Sequence, residues 1–175
     1  MRALAVTAMS TIAMLGLWAG AVHGKGTPPT LPAQALAAAP APPAPTDKIG
    51  YWPNTDLQAT WKDLEARQVL NKRVMDGGTF SINIRIVKPG DAPLVHSKSC
   101  DVWVVQAGTA TAVTGGTLIN PQKRAGVDDV AGTEIQGGVE QPLTAGDVLY
   151  VPPGVPHGFK DVKGFRGFLI RFDLK

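Results

Sequence analysis

The sequence contains a single cysteine, Cys100, and this excludes an intrachain disulfide bond. A lone thiol of this kind is buried, reactive or bonded to another molecule, and burial is the commonest of the three. Charged residues are few and balanced, since 17 basic and 14 acidic residues give a net charge of +3. The basic residues are scattered and form no basic helix, so we expect no nucleic-acid partner.

The N-terminal residues have the pattern of an export signal. Arg2 supplies a positive charge, residues 3–21 are apolar and uncharged, and small residues follow. We predict a signal peptide over residues 1–24, and therefore a periplasmic or secreted protein. The alternative is an uncleaved anchor, because the apolar run approaches the length that spans a bilayer. Only in that case would the protein contact a membrane.

The remaining sequence divides into a linker and one domain. Residues 25–47 are rich in Pro and Ala without apolar periodicity, which is typical of a semi-rigid, solvated linker without fixed structure. Residues 48–175 are numerous enough for one domain with its own core. Within this domain an apolar stripe at helical spacing predicts one helix over about 55–70, packed on the outside of the strands. The stripe consists of Leu57, Trp61 and Leu64.

From Gly77 onward, apolar and polar residues alternate as half-buried strands require. Many short segments of this kind, separated by Gly and Pro and without further helical patterning, predict an all-β barrel or sandwich over about 78–174. We expect Gly108 to end one of the strands. The polar, Gly-rich segment 120–138 predicts a long mobile loop, with a short strand at Glu134-Ile135.

Two segments combine a turn, a strand and a histidine. In Gly146–Asp161 (GDVLYVPPGVPHGFKD), a short apolar strand leads into prolines that fix a rigid bend immediately before His157. Upstream, five residues separate Gly90 from His96. Six residues then separate Asp101 from Gly108.

These segments resemble the two sequence motifs of the cupin superfamily. The second motif is nearly complete and contributes His157. The first motif usually has His-x-His followed by Glu, whereas this chain has His96, Lys98 and Asp101 in a segment one residue shorter. The resemblance covers about residues 80–172 and implies an RmlC-like double-stranded β-helix, the jelly-roll barrel of cupins, flanked here by one N-terminal α-helix. It also implies that a homodimer is a reasonable expectation.

The resemblance further implies a metal site. His96, Asp101 and His157 would form a set of two histidines and one carboxylate, which suits Fe(II) and is compatible with Mn, Ni or Zn. Cys100 is an alternative ligand. Lys98 cannot be a ligand as an ammonium group, and it would instead pair with an acidic substrate or point outward. Because Asp is shorter than Glu, the barrel could equally have lost its metal and bind a ligand directly.

The side chains expected to contact a small molecule lie near the motif positions. Trp103 and Phe159 each lie two residues from such a position, and therefore on the same strand face. Lys98, Tyr150 and Arg85 are further candidates. Two functions stay open. One is a divalent-metal-dependent enzyme of the dioxygenase, isomerase or lyase type, with the reaction unspecified. The other is a metal-free, non-catalytic ligand-binding or interaction module of the cell envelope.

Overall fold

The computed structural model describes residues 40–174. The predicted signal peptide, 1–24, and the first part of the predicted linker, 25–39, lie outside the described residues. Among the residues that are described, no helix is long and apolar enough to cross a membrane.

The end of the predicted linker is attached to the domain. The Ala44 N–H donates to the Asp76 carbonyl at 2.7 Å, and the Asp76 N–H donates to the Pro42 carbonyl at 3.0 Å. These two hydrogen bonds form an isolated parallel bridge between Pro43 and Asp76. Residues 42–44 therefore have fixed structure, although their composition is that of a linker.

The described residues form one helix and eleven strands. The helix is α1 (Asn54–Ala66). The strands are β1 (Asn71–Asp76), β2 (Phe80–Ile86), β3 (Leu94–His96), β4 (Ser99–Thr114), β5 (Thr117–Ile119), β6 (Gln122–Lys123), β7 (Asp129–Ala131), β8 (Glu134–Gln136), β9 (Val139–Thr144), β10 (Val148–Val151) and β11 (His157–Asp173).

The helix is shorter than its apolar pattern predicts. It ends at Ala66 rather than near residue 70, because Gln68 adopts the left-handed conformation with φ +56°. The Leu70 carbonyl already accepts a hydrogen bond from the Ile86 N–H at 2.9 Å, so the chain has entered the sheet by this residue. Strand β1, which the sequence pattern did not indicate, follows directly and pairs with β2.

The strands form an antiparallel barrel around the two longest ones. Strand β11 pairs with β2, β3 and β4, and β4 also pairs with β9 and β10. Every strand pairing within residues 40–174 is antiparallel. This arrangement confirms the predicted all-β, double-stranded β-helix with one flanking helix.

The segment 120–138 is not the long mobile loop that its composition indicates. It contains β6, β7 and β8. Strand β7 pairs with β3, so that Val130 lies opposite Val95 and Asp129 lies opposite His96. Strand β8 contains the short strand expected at Glu134-Ile135, and it pairs with β5. The pairing satisfies the backbone hydrogen bonds that a polar composition alone does not reveal.

Both faces of the β2–β11 layer are covered. On the outer face, α1 packs its buried Trp61 and Leu64 against Ile84 and Ile86, and Trp61 lies 5.7 Å from the Phe168 ring. On the inner face a second apolar cluster fills part of the barrel. Its buried members are Val87, Trp103, Val105, Ala110, Ala112, Leu143, Phe165 and Leu169. The other part of the barrel interior is polar.

Strand β4 continues through Gly108 instead of ending there. Gly108 has φ +75°, and β4 and β11 shift register in this region. A Cβ atom at this position would lie 2.3 Å from the carbonyl carbon of Gly164. The glycine therefore lets the two longest strands approach closely where they bend.

Replacing Gly108 with alanine is expected to lower the free energy of unfolding by about 2–3 kcal/mol. The left-handed backbone costs about 1–2 kcal/mol for a residue with a Cβ atom, and displacement of the Gly164 backbone adds to this cost. Gly90→Ala is the matched control, because Gly90 has φ +86° but open space around its Cβ position. Urea unfolding of both variants measures the difference. Equal losses would contradict the close approach of the strands.

Candidate functional site

His96 lies at the end of β3 and is held from two sides. Its side chain is buried, and its Nδ1 lies 2.6 Å from Oδ1 of Asp129 on the paired strand β7. Its carbonyl accepts a hydrogen bond from the Gly154 N–H at 2.7 Å. Because Gly154 belongs to the Pro-Gly bend of the second motif, this bond joins the two motifs directly.

His157 begins β11, as the bend before it predicts. Its Nδ1 lies 3.0 Å from the Val155 carbonyl, which can only accept, so Nδ1 carries a hydrogen and donates. Its Nε2 therefore faces inward and lies 3.4 Å from Oδ2 of Asp101.

Asp101 reaches both histidines in spite of its short side chain. It is 2% exposed, and its Oδ2 lies 3.3 Å from Nε2 of His96. The donor atoms of His96, Asp101 and His157 all lie within 4.8 Å of one another, and the two imidazole centroids are 5.2 Å apart. Two imidazoles and a carboxylate are suitable ligands for a divalent metal, so this inner cluster could hold one.

Arg171 is the site residue that the sequence analysis missed. Its Nε and Nη2 donate to Oδ1 and Oδ2 of Asp101 at 2.7 and 2.9 Å. Its Nη2 also lies 2.6 Å from Nε2 of His96. Arg171 lies opposite Asp101 of β4 and opposite Ser81 of β2, and residues paired in this way share a sheet face. Alternation along β11 places Leu169, Arg171 and Asp173 on the face opposite to that of Phe168, Ile170 and Phe172.

The charges of the inner cluster support one another. Burial raises the pKa of Asp101, but its contacts with His157, His96 and Arg171 outweigh burial and hold that pKa far below its ordinary range. Burial also raises the pKa of Asp129, but the hydrogen bond and charge of His96 and the charges of Arg171 and Arg124 together outweigh burial, so this pKa is lowered as well. Both carboxylates are therefore ionised at neutral pH.

The two aspartates and Arg171 act on His96 in opposite directions. Burial lowers the pKa of His96, yet the contacts with Asp101 and Asp129 raise it above its ordinary value, and the charge of Arg171 opposes this rise. Arg171 can only donate, so in the neutral ring Nε2 of His96 accepts from Arg171 and Nδ1–H donates to Asp129. A guanidinium group cannot accept a hydrogen bond, so a second ring proton could not point at it.

Cys100 and Tyr150 do not belong to the inner cluster. Successive strand residues point to opposite faces, and the Cys100 Sγ accordingly bonds the Phe172 carbonyl at 3.2 Å, away from the histidines. Tyr150 lies opposite Val102 on that same outer face and is about half exposed. Neither the ligand role proposed for Cys100 nor the substrate contact proposed for Tyr150 matches these positions.

The Cys100 thiol is expected to resist Ellman's reagent in the folded protein. It is fully buried, so the reagent cannot reach it. Burial also raises the pKa of the thiol, so little of the reactive thiolate is present. The folded chain should release thionitrobenzoate at the rate of global unfolding, and the urea-unfolded chain should react at once. Rapid stoichiometric reaction of the folded protein would contradict this burial.

The remaining predicted contact residues divide between surface and core. Lys98 is 77% exposed and lies 3.8 Å from Asp128, at the rim of the barrel. Arg85 bonds the Leu70 carbonyl and the Asp91 carboxylate instead of reaching the inner cluster. Trp103 and Phe159 pack edge-to-face at 4.9 Å within the apolar cluster. They therefore fill the core rather than form walls of an open pocket.

A polar cavity of about 250 Å³ opens at the His96 end of the barrel. His96, Arg171, Asp129 and Ser81 belong to its lining, and Lys98 and Phe80 lie among the residues around it. Asp101 and His157 do not line the cavity, which places them behind His96 and Arg171.

Comparisons with known proteins give matches among solved structures alone. Neither the models of protein families nor the curated proteins yield a match. A Klebsiella pneumoniae protein with a double-stranded β-helix domain is 21% identical, with 59% of this chain and 73% of that chain covered and a TM-score of 0.42. A Cupin 2 conserved barrel domain protein from Salinispora arenicola is 21% identical, with coverage of 59% and 74% and a TM-score of 0.40.

An RmlC-like cupin family protein from Methanocaldococcus jannaschii is 10% identical, with 59% of this chain and 78% of that chain covered and a TM-score of 0.40. Similarities at this level carry no information about a ligand or a reaction. The two sequence motifs meet at one buried cluster inside an antiparallel double-stranded β-helix. The fold that the cupin resemblance implied is thereby confirmed.

Proposed function

We propose that this cupin barrel binds a small polar molecule in the cavity at its His96 end. The observation that carries the proposal is the cavity itself, which ends on buried groups of known hydrogen-bonding character. The Ser81 Oγ accepts from Asn83 at 3.1 Å, so its own hydrogen is available to a ligand. A concave site with a few fixed polar groups is the usual form of a small-molecule site.

The charges around the cavity favour a ligand without large net charge. The cavity lining supplies positive charge from Arg73, Lys98 and Arg171, and negative charge from Asp76, Asp128, Asp129 and Asp173. Hydroxyl groups can donate to carboxylates and accept from Arg171 or Ser81, and Phe80 offers a partly exposed apolar face. A neutral polyhydroxylated molecule, such as a monosaccharide, satisfies both kinds of partner.

Ligand-observed NMR and thermal-shift measurements with a panel of monosaccharides test this proposal, with succinate and spermidine as charged comparisons. A monosaccharide that binds should bind Ser81→Ala about threefold to tenfold more weakly, because one hydrogen bond is lost. Lys62→Ala, on the outer surface of α1, is the control and should bind normally. Binding of the charged compounds alone, or equal binding by all variants, would refute the proposed ligand class.

A divalent-metal-dependent enzyme is the second candidate, and the donor atoms lying within 4.8 Å of one another favour it. His96, Asp101 and His157 would hold Fe, Mn, Ni or Zn, and the ion would supply Lewis-acid or oxygen-activating chemistry. Elemental mass spectrometry of protein purified without chelator tests this candidate. Near-stoichiometric metal that His157→Ala and Asp101→Ala both abolish would support it, and no metal after reconstitution would exclude it.

Export and dimer formation stay predictions. The apolar N-terminal segment supports export to the periplasm or medium, and the mass of the mature chain recovered from an exporting host tests it.

For a homodimer, Val148 and Tyr150 offer exposed apolar side chains on β10, which pairs only with β4 within residues 40–174. Light scattering on the purified domain, compared with a Val148→Lys variant, tests the dimer.

A further inference from the structure

We propose that Arg171 takes the place of a metal ion in this barrel and keeps divalent cations out of the inner cluster of His96, Asp101 and His157. The guanidinium would be the fixed positive charge that neutralises Asp101 and orients His96. This inference goes beyond the proposed ligand site, because it concerns the cation of the site and holds whatever molecule fills the cavity. It is incompatible with the metal-dependent enzyme given above as the second candidate.

Arg171 uses the atoms that a metal would need. Its fork donates to both oxygens of Asp101 at 2.7 and 2.9 Å, a bidentate pairing with good geometry for a carboxylate. Its Nη2 approaches Nε2 of His96 at 2.6 Å, which commits the lone pair of that nitrogen. A metal could bind Nε2 of His96 in this arrangement only by breaking its hydrogen bond with Arg171, and at Asp101 it would lie beside the guanidinium that both carboxylate oxygens already bind.

The third donor, His157, could not hold a metal ion by itself. The His157 Nε2 faces Asp101, and its Nδ1–H is committed to the Val155 carbonyl. With the other two donors engaged by Arg171, His157 offers a single imidazole. Protein zinc sites hold the ion with at least three protein ligands, so one imidazole would not retain it.

Arg171 also lies on the route to the cluster. Its side chain is 28% exposed and lines the cavity, whereas the Asp101 and His157 side chains are 2% and 7% exposed and do not. An ion that enters through the cavity therefore meets the guanidinium before it meets Asp101 and His157. The guanidinium repels it and cannot be deprotonated to relieve the repulsion. For the ion to pass, the Arg171 side chain would have to break its contacts with Asp101 and His96.

Titration with Co²⁺, followed by visible absorption, and with Zn²⁺, followed by calorimetry, tests this assignment. Wild type should show neither Co²⁺ ligand-field bands nor a one-to-one Zn²⁺ isotherm. Arg171→Gln frees the donors and should bind both ions at least about 100-fold more tightly, since even outer-shell changes alter metal affinity by about 10–100-fold. The gain should disappear in the Arg171→Gln/His157→Ala double variant.

Arg166→Gln is the matched control, because Arg166 lies on the same strand but pairs with Glu65 on α1 at 3.0 Å. It should behave as wild type does. A wild-type protein that binds Zn²⁺ as tightly as Arg171→Gln, with binding lost in Asp101→Asn, would overturn the inference. If Arg171→Gln fails to fold by circular dichroism, the wild-type titration decides alone: one-to-one binding that requires Asp101 overturns the inference, and absence of binding supports it.

Discussion

Replacing Asp101 with asparagine is expected to lower the free energy of unfolding by about 3–5 kcal/mol, the usual loss when one partner of a buried ion pair is removed. The carboxylate is almost fully buried and receives two hydrogen bonds from Arg171. Asparagine keeps the size of the side chain but removes the negative charge. Arg171 then loses the carboxylate that both of its donor groups bind, and this is the main source of the loss.

Urea unfolding followed by circular dichroism measures this effect. Glu140→Gln is the control, since Glu140 pairs with Lys160 on the exposed surface and its removal should leave the unfolding midpoint nearly unchanged. The double variant Asp101→Asn/Arg171→Gln should be less destabilised than the sum of the two single variants, because no unpaired charge then stays buried. Strict additivity would show that the two side chains are not coupled.

The Asp101→Asn variant also tests how the free energy of unfolding depends on pH. The pKa of Asp101 is lower in the folded chain than its unfolded value of about 3.9. Its contribution to stability is therefore present above about pH 4 and is lost as the pH falls toward the folded pKa. Wild type should lose stability below about pH 4 more steeply than Asp101→Asn. Parallel pH profiles would mean that Asp101 is not held as the ionised form.

Replacing Phe165 with alanine is expected to lower the free energy of unfolding by about 3–5 kcal/mol, the typical cost of removing a large aromatic side chain from a packed core. Phe165 is completely buried in the apolar part of the barrel. Its ring lies 5.1 Å from that of Phe159 and 6.0 Å from that of Trp103. The strands around it belong to the fixed sheet, so they cannot collapse into the cavity that alanine would leave.

Phe165→Leu is the graded control and should cost clearly less, because most of the buried volume is retained. Phe80→Ala tests an exposed ring, since Phe80 is 37% exposed at the rim, and should change stability little. Chemical unfolding with intrinsic tryptophan fluorescence follows all three variants, because Trp103 reports on this cluster. A loss in Phe165→Ala no larger than in Phe80→Ala would contradict the assignment of Phe165 to the core.

Local pattern was sufficient for the histidines and for the outer helix. Proline fixes the backbone before His157, so its place at the start of a strand follows from neighbouring residues. The stripe of Trp61 and Leu64 likewise follows from helical spacing, and both side chains are buried against the sheet. The end of that helix was misplaced, because Gln68 turns the chain in the left-handed conformation and the Leu70 carbonyl already pairs with the sheet.

The roles of Trp103 and Phe159 depend on their position along the barrel axis, which the sequence pattern does not give. Strand alternation assigns Trp103 to the same face as Asp101, and this assignment is correct. Alternation does not tell how far along the barrel axis the open cavity extends. Trp103 and Phe159 lie in the apolar part of the interior, where they pack against each other, and the cavity lies at the polar end instead.

The sequence by itself determined the β barrel and its flanking helix, because turns, strand alternation and helical spacing are properties of neighbouring residues. Its resemblance to the cupin motifs indicated the three residues of the inner cluster. Only the tertiary structure decided what surrounds that cluster. Arg171 is 70 residues from Asp101, and Asp129 is 33 residues from His96. Contacts across such separations arise from the register of paired strands, and no local pattern specifies which distant charge will lie opposite a given carboxylate or imidazole.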